Sequence, residues 1–131
     1  MIIGLGLDLC DGARVRRAIA RHPRLISRVF TDLESSLCLS RRDPAPCFAA
    51  RFAAKEAAMK ALGTGWSGGV GWRDIEVVRE PHGAPRLAFS GKALERFTNL
   101  GVNRAHLTIT HEGEIAAAVV ILEGSPPISP A

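Results

Sequence analysis

The chain has 131 residues, of which 47% are apolar, with a mean hydropathy of +0.10 and a formal charge of +4. That size fits one domain able to bury its own core, and no apolar run approaches the roughly 20 residues of a membrane span, so neither a span nor a signal peptide is expected. Cys10, Cys38 and Cys47 are odd in number and lack C-x-x-C spacing, which reads as reduced thiols in a cytoplasmic protein; the four histidines show no metal-ligand spacing.

The amino terminus, MIIGLGLDLC, alternates Ile3, Leu5, Leu7 and Leu9 with Gly4, Gly6, Asp8 and Cys10, the period-two pattern of a half-buried strand. Asp8 therefore projects from the glycine face. Two glycines there give up packing, as happens where another backbone or a ligand comes close. From Gly12 to Thr31 follow six arginines and no acid. Arg14, Arg17, Arg21, Arg24 and Arg28 recur at helical steps, with Val15, Ala18 and Ile19 on the apolar side, predicting one arginine-lined face; Pro23 opens a second helix running to about Phe30. Such a face attracts nucleic acid, a membrane surface or an acidic protein.

Thr31 with Glu34 three residues on predicts a capped short helix to about Arg41, and residues 42–46 a loop. The segment RFAAKEAAMKALGTG, Arg51 to Gly65, predicts a helix closed by Gly63. It places Phe52, Glu56 and Lys60 on one stripe. A carboxylate and an ammonium one turn apart, followed by a glycine-flanked loop of backbone donors, suit a magnesium ion and phosphates; the same spacing also serves a surface ion pair contributing about 0.2–0.5 kcal/mol. After the glycine-rich loop at 63–71, an exposed strand is expected over 72–78, a turn at 81–85, a strand at 86–89, a helix from Ser90 to Leu100, and two strands, His106 to Thr110 and Ile115 to Leu122, around the turn 111–114. The three-proline tail from Gly124 is expected to be disordered. The fold class is α+β, helices packed on a mostly antiparallel sheet, in one domain over 1–123.

GLGLDLCDGARVRR, RVFTDLE, RFAAKEAAMKALGTG, DIEV and HLTITHEGEIAAAVVILE, in that order from Met1 to about Glu123, resemble the small bacterial phosphopantetheinyl transferases, the holo-acyl-carrier-protein synthase family. The resemblance implies transfer of the phosphopantetheine arm of coenzyme A to a serine of apo acyl carrier protein, releasing adenosine 3′,5′-bisphosphate, with magnesium as cofactor. It implies Asp8 and Glu56 as the metal ligands, and Asp8, Glu56 and Lys60 as the catalytic set. It implies Arg51, Lys55, Lys60, the backbone of Gly63, Thr64 and Gly65, and Thr110 with His111 as contacts to coenzyme A. Arg14, Arg21, Arg24, Leu25 and Arg28 would dock the acidic carrier. The base that takes the serine proton stays open between Glu56 and a metal-bound water. A cytoplasmic homotrimer with active sites at subunit interfaces is likewise implied. Ala84 stands where relatives often carry lysine, Thr108 where serine is common and Asp11 where glutamate is common. Two other readings are a nucleic-acid-binding module, which leaves Asp8 and Glu56 without a role, and a non-catalytic carrier-protein binder; seven aromatics and no tyrosine offer few stacking platforms for single strands.

Overall fold

In chain order the elements are β1 (Ile2–Asp11), α1 (Gly12–Arg21), α2 (Leu25–Val29), α3 (Asp32–Leu39), α4 (Ala45–Leu62), a 3₁₀ turn (Trp72–Asp74), β2 (Ile75–Val78), β3 (Arg86–Phe89), α5 (Gly91–Asn99), β4 (Val102–Glu112) and β5 (Ile115–Gly124). The structure is a computed structural model and describes residues 1–65 and 69–127. Strands β1, β5 and β4 form an antiparallel sheet in that order, and β2 pairs antiparallel with β3. This is the expected α+β class. Trp66 to Gly68 of the expected glycine-rich loop lie outside the described residues, as do 128–131 of the tail.

Helix α4 lies across one face of the sheet, and its run of alanines makes that approach close. Ala53, Ala54, Ala57 and Ala58 are wholly buried, and they meet Ala118, Val120 and Leu122 from β5 in the main core. The two glycines of β1 set the spacing: a Cβ on Gly4 would stand 2.1 Å from the Ala61 carbonyl oxygen, and one on Gly6 1.8 Å from that of Ala57. No side chain fits either position. The glycine face is thus the packed one, as its composition implied, and the leucine face is not. Leu5, Leu7 and Leu9 are 64%, 57% and 64% exposed, aligned with Ile121, Val119 and Ala117 of β5 on a sheet face left uncovered among the described residues. The half-buried strand is therefore buried on the side opposite to the one its leucines suggest, because backbone-to-backbone contact is available only where side chains are missing.

A second cluster, Val29, Phe30, Cys38 and Phe48, seats α1 to α3 on the first half of α4 through Val15, Ile19, Leu25 and Ile26. Thr31 and Glu34 form the expected capping box. Glu34 does more than cap: its carboxylate accepts from the Thr31 and Val77 amides at 2.9 and 2.8 Å, and it pairs with Lys55 Nζ at 2.8 Å, both side chains fully buried. Lys55 also donates to the Trp72 carbonyl at 3.1 Å and to that of Ile75. Burial pulls its ammonium below the usual lysine range, and Glu34 opposes that.

Four expectations change. Cys38 and Cys47 are joined, their Cα atoms 5.3 Å apart, because the loop between α3 and α4 folds the end of one helix against the start of the other; only Cys10 is free. That bond removes the cysteine argument for a reducing compartment. Helix α4 begins at Ala45 instead of after residue 46, with Pro46 in its first turn, where a missing N–H costs nothing. Strand β2 begins at Ile75 instead of residue 72, after a 3₁₀ turn, and is less exposed than expected, with Ile75 and Val77 buried. Gly124 belongs to β5, its amide bonded to the Met1 carbonyl at 3.0 Å, and the Ser125 amide donates to Gly101, so regular structure passes residue 123.

Replacing Lys55 by methionine strands a buried carboxylate, and we expect urea unfolding to show a loss of about 3–5 kcal/mol. A variant as stable as the parent would refute the assignment of this lysine to the core.

Candidate active site

The geometry that aligns β1 with α4 through Gly4 and Gly6 continues to Asp8, the next residue on the same face. Asp8 Oδ1 accepts from Lys60 Nζ at 2.9 Å, and Lys60 also donates to the Leu7 carbonyl at 3.0 Å. Glu56 stands beside Asp8. Burial, then the Asp8 charge, pushes the Glu56 carboxyl above the usual carboxylate range, and Lys60 pulls the other way. The thiol of Cys10, two residues along the same face, is pushed up to about 11 by burial and by Asp8 and Glu56. Burial is the larger cause of both shifts, and the neighbouring carboxylates add to it.

These groups open into a cleft of about 480 Å³, lined among others by Arg14, Val15, Leu25 and Phe52. The ring of Phe52 stacks on Trp72 with centroids 5.0 Å apart, which fixes the floor. Of the stripe Phe52, Glu56, Lys60, the first two line this cavity, and Lys60 reaches its edge through Asp8. Arg14 enters it from α1, whose first turn is capped by Asp11 accepting from the Ala13 amide at 2.9 Å. Arg21, Arg24, Leu25 and Arg28 line an adjoining groove, across the Pro23 break. The expected arginine face is thus split between α1 and α2. Among the described residues, no carboxylate lies within ion-pair distance of Arg14, Arg17, Arg21, Arg24 or Arg28.

Other expected contacts do not converge here. Lys55 is placed away from the cleft: it is a core ion-pair residue with no solvent exposure. Arg51 lies on another side of α4, where Nη1 donates to the Cys47 carbonyl and Sγ at 3.3 and 3.2 Å and the side chain lines a groove with Arg41 and Asp43. The amides of Gly63 and Thr64 are spent closing α4, on the carbonyls of Lys60 and Met59 at 3.0 and 3.2 Å, with Gly63 left-handed at φ 75°. Both amides of the expected backbone cradle are thus engaged within the helix terminus. Thr110 aligns with Ala117 and, across β5, with Leu9, on the uncovered sheet face; His111 aligns with Ala116 and Cys10 at the exposed end of the other face. Sequence reasoning missed the aromatic floor, the Glu34–Lys55 pair and the contacts of Arg16. Thr31-x-x-Glu34 signalled a cap, and nothing in its spacing signalled a lysine 21 positions on.

Two neighbouring carboxylates, Asp8 and Glu56, in an open cleft fit a hard divalent cation that keeps several waters and takes its remaining ligands from a phosphate. No group of three or more metal-ligating side chains occurs among the described residues. Magnesium does not require one.

The description of the 4'-phosphopantetheinyl transferase superfamily matches residues 4–120. A holo-[acyl-carrier-protein] synthase of Koribacter versatilis is 48% identical over 124 residues, 94% of this chain and 99% of the relative. One of Anaeromyxobacter dehalogenans is 50% identical, covering 97% of this chain and 100% of the relative. Among solved structures, the holo-[acyl-carrier-protein] synthase of Neisseria meningitidis superposes with a TM-score of 0.84 at 32% identity over 94% of this chain and 99% of that one. A Bacillus anthracis synthase in complex with CoA (3',5'-ADP) gives 0.79 at 33% identity over 95% and 99%. With that match spanning nearly its whole length, the chain belongs to the 4'-phosphopantetheinyl transferase superfamily.

Proposed function

We propose that the chain transfers the 4'-phosphopantetheine group of coenzyme A to a serine of apo acyl carrier protein, releasing adenosine 3',5'-bisphosphate. The observation that carries this reading is the meeting of Asp8, Glu56 and Lys60 at the mouth of a cleft whose rim is an unneutralised arginine surface. Relatives across nearly the full length bear the name of that activity, and the Bacillus anthracis structure is a complex with coenzyme A.

Asp8 and Glu56 would hold a magnesium ion, which when bound neutralises charge on the pyrophosphate oxygens. Lys60 is about half exposed at its Asp8 contact and can turn its ammonium onto a phosphate. The serine oxygen forms a bond to the phosphorus that carries the pantetheine arm. The bond from that phosphorus to the oxygen of the adenylate phosphate breaks, and the serine proton leaves. Little of this is covalent work for the protein, so orientation and fixed charge supply most of the rate. The Phe52 floor keeps water from one side of the reacting atoms.

The carrier docks on Arg14, Arg21, Arg24, Arg28 and the apolar Leu25 between them. A nucleic-acid role would use the same arginines and leave the carboxylate pair idle. The uncovered leucine face of β1 supports self-association, and the trimer of the family resemblance would bury it. Thr110 lies on that face, so in such an assembly it serves a neighbour's site and not its own chain's.

Mass spectrometry of an apo carrier protein incubated with this chain, coenzyme A and Mg²⁺ should show the gain of one phosphopantetheine, abolished by a chelator. No gain from folded protein with several carriers would refute the reading. Reversing Arg14 and Arg21 to glutamate should raise the carrier's KM about tenfold or more at low salt, with the difference shrinking as salt rises and coenzyme A affinity unchanged. Loss of coenzyme A binding instead would mean that the arginine surface belongs to the nucleotide.

A further inference from the structure

Among the described residues, Arg16 is the arginine of α1 that pairs with carboxylates, and the docking surface does not use it. Its guanidinium forks across two carboxylates from distant segments: Nη1 and Nη2 donate to Glu114 Oε2 and Oε1, both at 3.0 Å, and Nε and Nη2 donate to Asp43 Oδ1 and Oδ2 at 3.4 and 2.6 Å. Glu114 sits in the turn between β4 and β5. Asp43 opens α4, where its Oδ1 also accepts from the Ala45 amide at 3.3 Å. One side chain therefore ties α1, which bears Arg14, to the helix that bears Glu56 and to the hairpin that bears His111.

The backbone agrees with this seat. The Gly12 amide donates to the Glu114 carbonyl at 2.8 Å, and a Cβ on Gly12 would stand 3.0 Å from that oxygen, so the first turn of α1 rests directly on the hairpin. The carboxyls of Asp43 and Glu114 are both held below the usual range by Arg16, so all three groups stay charged through neutral pH. All three side chains are about half exposed, and ion pairs so exposed add little to stability. A planar five-donor fork that satisfies two carboxylates at once fixes direction more than it fixes free energy.

We propose that Arg16 is a positioning residue for the transfer: its clamp sets the height of the carrier-docking helix over Asp8 and Glu56, and so where the carrier's serine meets the pyrophosphate. This rests on the carrier-docking reading above. Docking charge and docking height are separable. Losing a stripe arginine weakens capture of the carrier, whereas losing the clamp leaves capture intact and misplaces what has been captured.

Steady-state kinetics with varied carrier at saturating coenzyme A test this in Arg16→Gln, Glu114→Gln and the double variant. For Arg16→Gln kcat should fall about tenfold, with the carrier's KM within about twofold of the parent. Glu114→Gln should lower kcat in the same sense, and the double variant should be no slower than Arg16→Gln, since both remove one contact. Arg16→Lys should recover only part of the loss, because a point-charge ammonium lacks the fork that spans both carboxylates. Unchanged kcat in both single variants, or a rise in KM at constant kcat, overturns the proposal, the latter making Arg16 one more docking charge. A parent chain that transfers nothing overturns the transferase reading on which the proposal stands.

Discussion

Everything at this site depends on the contact between the glycines of β1 and the backbone of α4. With carbonyl oxygens of Ala57 and Ala61 where Cβ atoms of Gly6 and Gly4 would be, strand and helix are as near as backbones allow. That closeness places a carboxylate on a strand beside a carboxylate and an ammonium on a helix. Glu56 and Lys60 alone, four apart on one helix, would be a solvated pair of little consequence. Asp8 turns them into a site. The cost is visible on the other face of the same strand, where three leucines are left exposed.

Charge is used in three different ways within this chain. Glu34 and Lys55 are buried and fully hydrogen-bonded, an ion pair that holds α3, α4 and β2 in one register. Arg16 is exposed and geometric, joining segments far apart in sequence. The five stripe arginines have no carboxylate partner among the described residues, which leaves Arg14 in the cleft and Arg21, Arg24 and Arg28 in the adjoining groove as a basic surface beside the Asp8–Glu56 carboxylates. In the proposed function, such a basic surface would steer an acidic macromolecule, and the two carboxylates would hold a cation that bridges to phosphate.

Local patterns were legible in the sequence to the degree that they were local. The capping box at Thr31, the Gly63 terminus of α4, the Phe52-Glu56-Lys60 stripe and the alternation in β1 each depend on residues within a turn or a strand, and each stands where the spacing puts it. What could not be read was which partner each pattern would meet. Alternation told that β1 has two faces and not that its leucine face would be left bare. Helix propensity placed Lys55 next to Glu56 without showing that one turns inward to Glu34 and the other outward to Asp8. Gly63 was legible as a terminator, and that role consumes the amides once expected to cradle a phosphate. The Cys38–Cys47 bond is equally non-local, depending on how α3 folds back along α4.

The central claim is that the glycine-mediated approach of β1 to α4 creates the metal and phosphate site. Isothermal titration of coenzyme A in Mg²⁺, with and without chelator, on the parent and on Gly6→Ala tests it most directly, with far-UV circular dichroism to establish that both are folded. A methyl group there must drive strand and helix apart, because its neighbour is backbone. The account predicts chelator-sensitive binding by the parent and a loss of about tenfold or more in the folded variant. Parental affinity in folded Gly6→Ala, or parental binding indifferent to the chelator, would contradict it.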